Sequence, residues 1–86
     1  MIYRVVVPSH VERQIVRLAP ILKRQIRNAL DEIAENPHVG KALRQDLKGL
    51  YSYRVRHYRI VYSIHSDVVE VHLLAIGPRT GIYQSL

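Results

Sequence analysis

Cysteine is absent from the 86-residue sequence, which excludes a disulfide framework, a thiolate metal site and a cysteine nucleophile. Long apolar runs are absent as well. No stretch approaches the roughly 18 residues that a membrane-spanning helix needs, and residues 1–10 lack the apolar core of a secretory signal peptide. We therefore expect a protein that stays in the cytoplasm and does not cross a membrane.

The sequence also lacks internal repeats, low-complexity tracts and linkers. Its four glycines are scattered and form no phosphate-binding loop. It contains neither a carboxylate cluster nor a His/Cys ligand spacing, which argues against metal-dependent chemistry. These absences predict a single domain over residues 1–86 that uses no cofactor and no metal.

What the sequence has in abundance is positive charge, most of it arginine. Thirteen Lys and Arg residues stand against seven Asp and Glu residues, for a net charge of +6, and ten of the thirteen are arginine. Guanidinium groups hold phosphate through two parallel hydrogen bonds, whereas lysine acts as a point charge. The composition favours a polyanionic partner; the alternative is a soluble surface with a basic bias.

The residue pattern of the N-terminal half predicts one strand followed by two helices. Residues 2–7 are rich in β-branched side chains and precede a proline, which favours a strand. Ser9 and Glu12 have the spacing of a capping box, with the serine as N-cap of the first helix. Pro20 suits the first turn of the second helix, and Asn36-Pro37 would end it, so the short joint predicts a helical hairpin. Apolar residues recur at helical spacing at Val11, Ile15, Leu18, Leu22, Ile26, Ala29, Leu30, Ile33 and Ala34.

The C-terminal half predicts an antiparallel sheet. A polar connector covers residues 38–49, and residues 77–86 have the composition of a turn. Three strands are expected between them, over residues 51–55, 58–65 and 68–75. The joints between these strands have only two residues, which favours hairpins. The resulting fold class is α+β, with an N-terminal strand, a helical hairpin and antiparallel strands in one sheet whose helices pack on one face.

The hairpin register decides which side chains share a face. If Arg56 and His57 form a two-residue turn, Arg54 lies directly opposite Arg59, and the two cations share one face of the sheet. Arg-His is a poor pair for the favoured turn types, so a different turn would shift this pairing. The opposite face then carries four apolar or aromatic residues, which we expect to pack on the helices rather than stack on bases. They are Tyr51, Tyr53, Ile60 and Tyr62.

Several short motifs follow one another in a recognisable order. They are Leu47-Lys48-Gly49, Tyr53-Arg54-Val55, Tyr58-Arg59-Ile60-Val61-Tyr62, Gly77-Pro78-Arg79 and Tyr83. This ordered set resembles the RelE/ParE superfamily of toxins from bacterial and archaeal toxin–antitoxin pairs. The resemblance implies a RelE-like fold and an endoribonuclease that cuts mRNA in the ribosomal A site. It also implies a cognate antitoxin as partner, in a toxin–antitoxin heterotetramer, with the ribosome and mRNA as targets.

The resemblance also implies a set of catalytic residues: Arg54, Arg59, Arg79 and Tyr83. Arginine donors can be aimed in advance at the charge that develops on a phosphate during cleavage. We assign Arg59 and Arg79 to that charge, and Arg54 to the phosphate or the leaving group. Tyr83 is the candidate acid or base, for which its pKa would have to fall from near 10, or else it orients a nucleotide. Histidine is a common acid–base group in catalysis, so His57 is an alternative.

Flanking cations complete the expected RNA-binding surface, and two positions depart from the family pattern. The flanking contacts are Lys41, Lys48, Arg56 and His57. Some family members carry a lysine where this chain has Ser52, and histidine or lysine is common where it has Pro78. Both differences remove a cation or a proton donor, so they bear on the rate of cleavage more than on the fold.

Two alternative functions stay open on the sequence alone. The superfamily also contains ParE-like toxins, which bind DNA gyrase and cut nothing. The second alternative is an RNA-binding or degenerate member without target activity. Arg59, Arg79 and Tyr83 together favour the nuclease, whereas Ser52 and Pro78 weaken that preference.

Overall fold

The computed structural model of the protein describes residues 1–78, 81–82 and 86. Over these residues the chain forms two α-helices and a five-stranded sheet with strand order β1-β5-β4-β3-β2. The helices are α1 (Ser9–Val16) and α2 (Pro20–Glu35). The strands are β1 (Arg4–Val6), β2 (Lys41–Ala42), β3 (Leu50–Val55), β4 (Tyr58–His65) and β5 (Glu70–Pro78). Neither helix in this part of the chain has the length and apolarity needed to cross a membrane.

The helices cover one face of the sheet, as the sequence predicted. The core between the helices and the sheet contains Val11, Ile15, Ile26, Ile33, Ile60, Tyr62, Val71 and Leu73, all of them buried. Three neighbouring strand pairs are antiparallel, whereas β1 runs parallel to β5 at the sheet edge. The α+β class and the packing of the helices on one face are therefore confirmed.

The hairpin of β3 and β4 has the predicted register. Arg54 pairs with Arg59 and Val55 with Tyr58, so Arg56 and His57 form a two-residue turn. Arg56 adopts a φ of 55°, and a positive φ at the first turn position is what short hairpins favour. The residue types at the turn did not predict this conformation, because arginine rarely adopts a positive φ. The alternative pairing left open above is not adopted.

The N-terminal boundaries differ from the predicted ones. The strand is shorter, Arg4–Val6 instead of residues 2–7. The capping-box prediction is wrong, because Pro8 is the N-cap and Ser9 is already helical, with no side-chain capping bond. The backbone N–H groups of Val11 and Glu12 instead donate to the Pro8 carbonyl.

The C-terminal boundaries also differ. β5 begins at Glu70 and ends at Pro78, so Gly77 and Pro78 belong to the strand and not to a turn. Gly77 pairs with Arg59 and Pro78 with Tyr58, and a proline is acceptable at a strand end because no further ladder bond is needed there. The predicted connector contains β2 and two short 3-10 helices, Pro37–Val39 and Gln45–Leu47. These elements depend on contacts with β3 and β4 that a local pattern does not encode.

Candidate functional site

The site lies on the face of the sheet that α1 and α2 do not cover, which we call the open face. Side chains alternate along a strand, so Arg54 and Arg59 project to the side opposite the helix-facing Tyr53 and Ile60. The two arginines are directly opposed across β3 and β4. Like charges in this arrangement are mildly destabilising, and an anion placed between them would remove that penalty.

Each of these arginines has an anchor within the hairpin. Arg59 donates from Nη1 to the hydroxyl of Ser52, 3.4 Å away, and Ser52 is only 2% exposed. Arg54 donates from Nε to the carbonyl oxygen of Arg56, 3.0 Å away. A guanidinium carries five N–H donors, so a single anchoring bond leaves most of these donors for a phosphate. The pair is therefore oriented before any ligand binds.

Ser52 is a site residue whose contact the sequence reasoning missed. It was noted only as a departure from the family pattern, but it supports Arg59 directly. A signal was present, because Ser52 lies two residues before Arg54 and must share its face. What the pattern could not show is that the Arg59 side chain extends across β3 to reach it.

Two of the expected flanking contacts lie away from the arginine pair. Arg56 donates from Nε to Oε1 of Gln25 at 2.7 Å, which draws its side chain toward α2. His57 lines a cleft of about 320 Å³ on the helix side, together with Ile21 and Leu22. The structure therefore does not bring Arg56 and His57 to the open face, and for Arg56 the reason is its bond to Gln25 of α2.

The two expected lysine contacts differ in their placement. Lys41 lies in β2 directly opposite Ser52, so its side chain shares the open face with the arginines. Lys48 follows the short helix Gln45–Leu47, where it is exposed in the connector and outside the strands. Only Lys41 of these two is aligned with the arginine pair by strand pairing.

Arg79 and Tyr83 lie outside the described residues. Their described neighbours nevertheless bring the chain to the site. β5 ends at Pro78, one residue after Gly77, the direct partner of Arg59. Ile82 is 4% exposed and packs on the open face against Val61 and Ala75. Ile82 therefore lies on the face that carries Arg54 and Arg59.

The tyrosines of the helix side are held as neutral groups by their surroundings. Burial raises the pKa of Tyr62 to about 12. The pKa of Tyr53 is also raised, chiefly because its hydroxyl donates to the carboxylate of Glu32. Both contacts are on the side of the sheet away from Arg59. These phenols therefore serve the core and its rim, as expected, and do not supply a base to the open face.

The far end of the open face carries a second polar group of residues. Glu70 is bonded to Arg4 and to His72, and these bonds, that of Arg4 first, lower the pKa of its carboxyl group. The His65 and His72 rings lie 4.1 Å apart between their centroids. His65 is six residues along β4 from Arg59, so this group is remote from the arginine pair.

The fold is that of RelE toxins. A chain of the RelBE2 toxin–antitoxin complex of Mycobacterium tuberculosis superimposes with a TM-score of 0.81 and 28% identity, covering 92% of this chain and 100% of that chain. The isolated Escherichia coli RelE toxin superimposes with a TM-score of 0.76 and 21% identity, covering 96% and 93% of the two chains.

Sequence comparison defines the family more closely. The family model described as "ParE-like toxin of type II bacterial toxin-antitoxin system" matches residues 5–86. Toxin RelE of Mycobacterium tuberculosis is 33% identical over 84 residues, which cover 95% of this chain and 87% of the relative. Toxin RelG of the same organism is 33% identical over 86 residues, with coverages of 98% and 99%. The chain belongs to the ParE-like toxin family of type II toxin–antitoxin systems, within the RelE/ParE superfamily.

Proposed function

We propose that this toxin is a metal-independent endoribonuclease that cleaves mRNA in the ribosomal A site and so stops translation. The observation that carries the proposal is the pair of directly opposed arginines, Arg54 and Arg59, on the open face of the sheet. The arginines are anchored by Ser52 and the hairpin turn, an arrangement suited to a bound phosphate. The 33% identity to RelE and RelG toxins supports the same function.

The reaction needs only the RNA and protein side chains. The 2′-oxygen attacks the neighbouring phosphorus, and the bond from phosphorus to the 5′-oxygen breaks, which leaves a 2′,3′-cyclic phosphate and a 5′-hydroxyl. One proton leaves the 2′-hydroxyl and one is delivered to the departing 5′-oxygen. Negative charge accumulates on the non-bridging oxygens between these events. Donors fixed around those oxygens contribute about 10²–10³-fold each to the rate.

The residues divide the work as follows in this proposal. Arg59 and Arg79 stabilise the charge on the non-bridging oxygens, and Arg54 holds the phosphate or the leaving oxygen. Tyr83 transfers the proton. Ile82, which lies between Arg79 and Tyr83 in the sequence, packs on the open face, and this supports the roles proposed for both residues.

A cognate antitoxin is proposed as the partner that silences the toxin in the cytoplasm. The similar chain of the RelBE2 complex comes from a toxin–antitoxin assembly, and the RelE–RelB complex of Pyrococcus horikoshii shares the fold. By the same likeness, a toxin–antitoxin heterotetramer is the assembly we propose.

Brief expression in cells, followed by mapping of mRNA 5′ ends, tests the proposal. We expect cuts in translated mRNA that keep step with the codons, and we expect Arg59→Ala to abolish them. Lys23→Gln, which removes one positive charge from α2, is the matched control and should cut like the wild type. Uncut mRNA during a translation arrest would overturn the nuclease assignment.

Inhibition of DNA gyrase by binding is the second candidate function. The observation that favours it is the match to the family of ParE-like toxins. The purified toxin would then block gyrase supercoiling at protein concentrations that leave translated mRNA intact. Normal supercoiling in its presence would remove this candidate.

A further inference from the structure

We propose that Tyr62, buried on the helix side of the sheet, is a positioning residue that fixes Lys41 beside Arg59 as a further RNA-phosphate contact. This inference deepens the proposed function and rests on it. In this inference, the Tyr62 hydroxyl on the helix side determines where Lys41 contacts a ligand on the open face. The connection runs through the backbone of residues 37–40.

The first step is the contact between Tyr62 and the connector. Tyr62 is 0% exposed. Its hydroxyl donates to the Pro37 carbonyl at 2.6 Å and accepts from the Gly40 N–H at 3.1 Å. The Tyr62 hydroxyl is thus hydrogen-bonded to both ends of residues 37–40, the segment that precedes β2.

The second step is the requirement for glycine at position 40. A Cβ there would clash with the Tyr62 hydroxyl and would lie 3.1 Å from the Ser52 carbonyl oxygen. The backbone therefore approaches β3 and β4 more closely than any side chain would permit. A side chain at position 40 would push the connector away from Tyr62 and β3.

The third step places Lys41 on the open face. Lys41 follows Gly40 and lies directly opposite Ser52. Leu43, two residues further along, packs on the open face against Val61 and Ala75. Since residues two apart on an extended segment share a face, Lys41 projects to the same side as Arg59.

The fourth step concerns what Lys41 can reach. Ser52 accepts a hydrogen bond from Arg59 and is also the direct strand partner of Lys41. Adjacent strands are about 4.8 Å apart, so a phosphate held by Arg59 near Ser52 is within reach of the lysine ammonium. Ser52 itself carries no charge, and Lys41 supplies the cation at this edge of the site.

The last step explains why Lys41 needs a fixed backbone. A lysine is a flexible point charge without directional preference, so the position of its Cα decides which phosphate it meets. β2 has only two residues and lies at the sheet edge. A strand this short frays readily unless something else holds it, and the bonds of Tyr62 hold the residue next to Lys41.

Binding of a 2′-O-methyl RNA oligonucleotide, which cannot be cleaved, tests the inference at a series of salt concentrations. Lys41→Gln removes one phosphate contact and should lower the slope of log K against log salt by about 0.7. Over a fourfold rise in salt, this means that the wild type loses about threefold more affinity than the variant. Tyr62→Phe keeps every charge, and we expect it to lower the slope by a similar amount.

The double variant Lys41→Gln/Tyr62→Phe should bind no more weakly than the weaker single variant, because both changes remove the same contact. Additive losses, or an unchanged slope for Lys41→Gln, would overturn the inference. Tyr53→Phe is the matched tyrosine control, since its hydroxyl bonds Glu32 and not the connector. Lys23→Gln is the matched charge control. Both controls should keep the wild-type slope.

A rescue variant keeps the test independent of the stability of Tyr62→Phe. Lys41→Arg restores the positive charge at position 41 without changing Tyr62 or the Ser52–Arg59 bond, and it should restore the wild-type slope. The outcome is separable from that of the proposed function. Lys41-dependent RNA binding without any ribosomal cleavage would remove the nuclease but keep this contact, whereas cleavage with an unchanged Lys41→Gln slope would remove only the contact.

Discussion

The two faces of the sheet are built from the same strands and have opposite properties. On β4, Ile60 is fully buried against the helices, while its neighbour Arg59 lies on the open face opposite another arginine. The helix side satisfies its polar groups internally, as Tyr62 does with Pro37 and Gly40. We infer that burial on the helix side contributes most of the folding free energy. The open face can therefore hold two opposed cations for a ligand.

Ile60→Ala should have the largest effect on stability. Truncation of a fully buried isoleucine costs about 2–5 kcal/mol of unfolding free energy. Arg59→Ala, one residue away on the other face, should change the same quantity by no more than about 1 kcal/mol, because it also relieves the charge opposition. Urea unfolding of both variants measures the difference. Equal losses would contradict the division between the faces.

Gly40→Ala should have the next largest effect. The added methyl group has no room beside the Tyr62 hydroxyl, and an overpacked site of this kind costs about 1–3 kcal/mol. Gly49→Ala is not a clean comparison, because Gly49 has a φ of 96°. Lys23→Ala, on the surface of α2, is the better reference and should unfold close to the wild-type urea midpoint.

Alkaline pH should weaken the helix side through Tyr62. Its pKa is raised to about 12 in the folded protein, above the value of about 10 in an unfolded chain. A raised pKa contributes stability that is fully present below about pH 10 and is lost as the pH rises toward 12. Urea midpoints measured across this range should fall more steeply for the wild type than for Tyr62→Phe. Parallel curves would show that Tyr62 does not have this role.

Arg56→Gln should have the smallest effect. Arg56 is bonded to Gln25 on the helix side, so its loss should change the cleavage rate by no more than about threefold, the effect of one distant phosphate charge. Arg54→Gln, on the open face, should lose about 10²-fold or more. Comparable losses for the two variants would place Arg56 in the site after all.

The hairpin shows how far the sequence alone could lead. Strict alternation from Tyr51 to Tyr62 with a two-residue joint was enough to predict the opposition of Arg54 and Arg59. These are local rules, and they held even though the turn required a positive φ at Arg56. The ordered motifs around them were enough to indicate the family.

Other features depend on contacts between distant residues and could not be predicted. Gly40, directly before β2, donates to the hydroxyl of Tyr62, which lies 22 residues later in the sequence. Arg56 turns toward the helices because Gln25 lies there. The N-cap of α1 is Pro8 and not Ser9, because the Pro8 carbonyl accepts the bond from Glu12 that the pattern assigned to the side chain of Ser9.

The most direct test of the account is single-turnover cleavage of an mRNA held in the ribosomal A site by the purified toxin. We expect rapid cleavage to a 5′-hydroxyl product, and we expect no cleavage when the attacking nucleotide carries a 2′-deoxy sugar. We also expect a loss of about 10²–10³-fold for Arg59→Ala, without a matching loss of stability. Cleavage of the 2′-deoxy substrate, or an Arg59→Ala variant as fast as the wild type, would contradict the claim that the open face is the catalytic one.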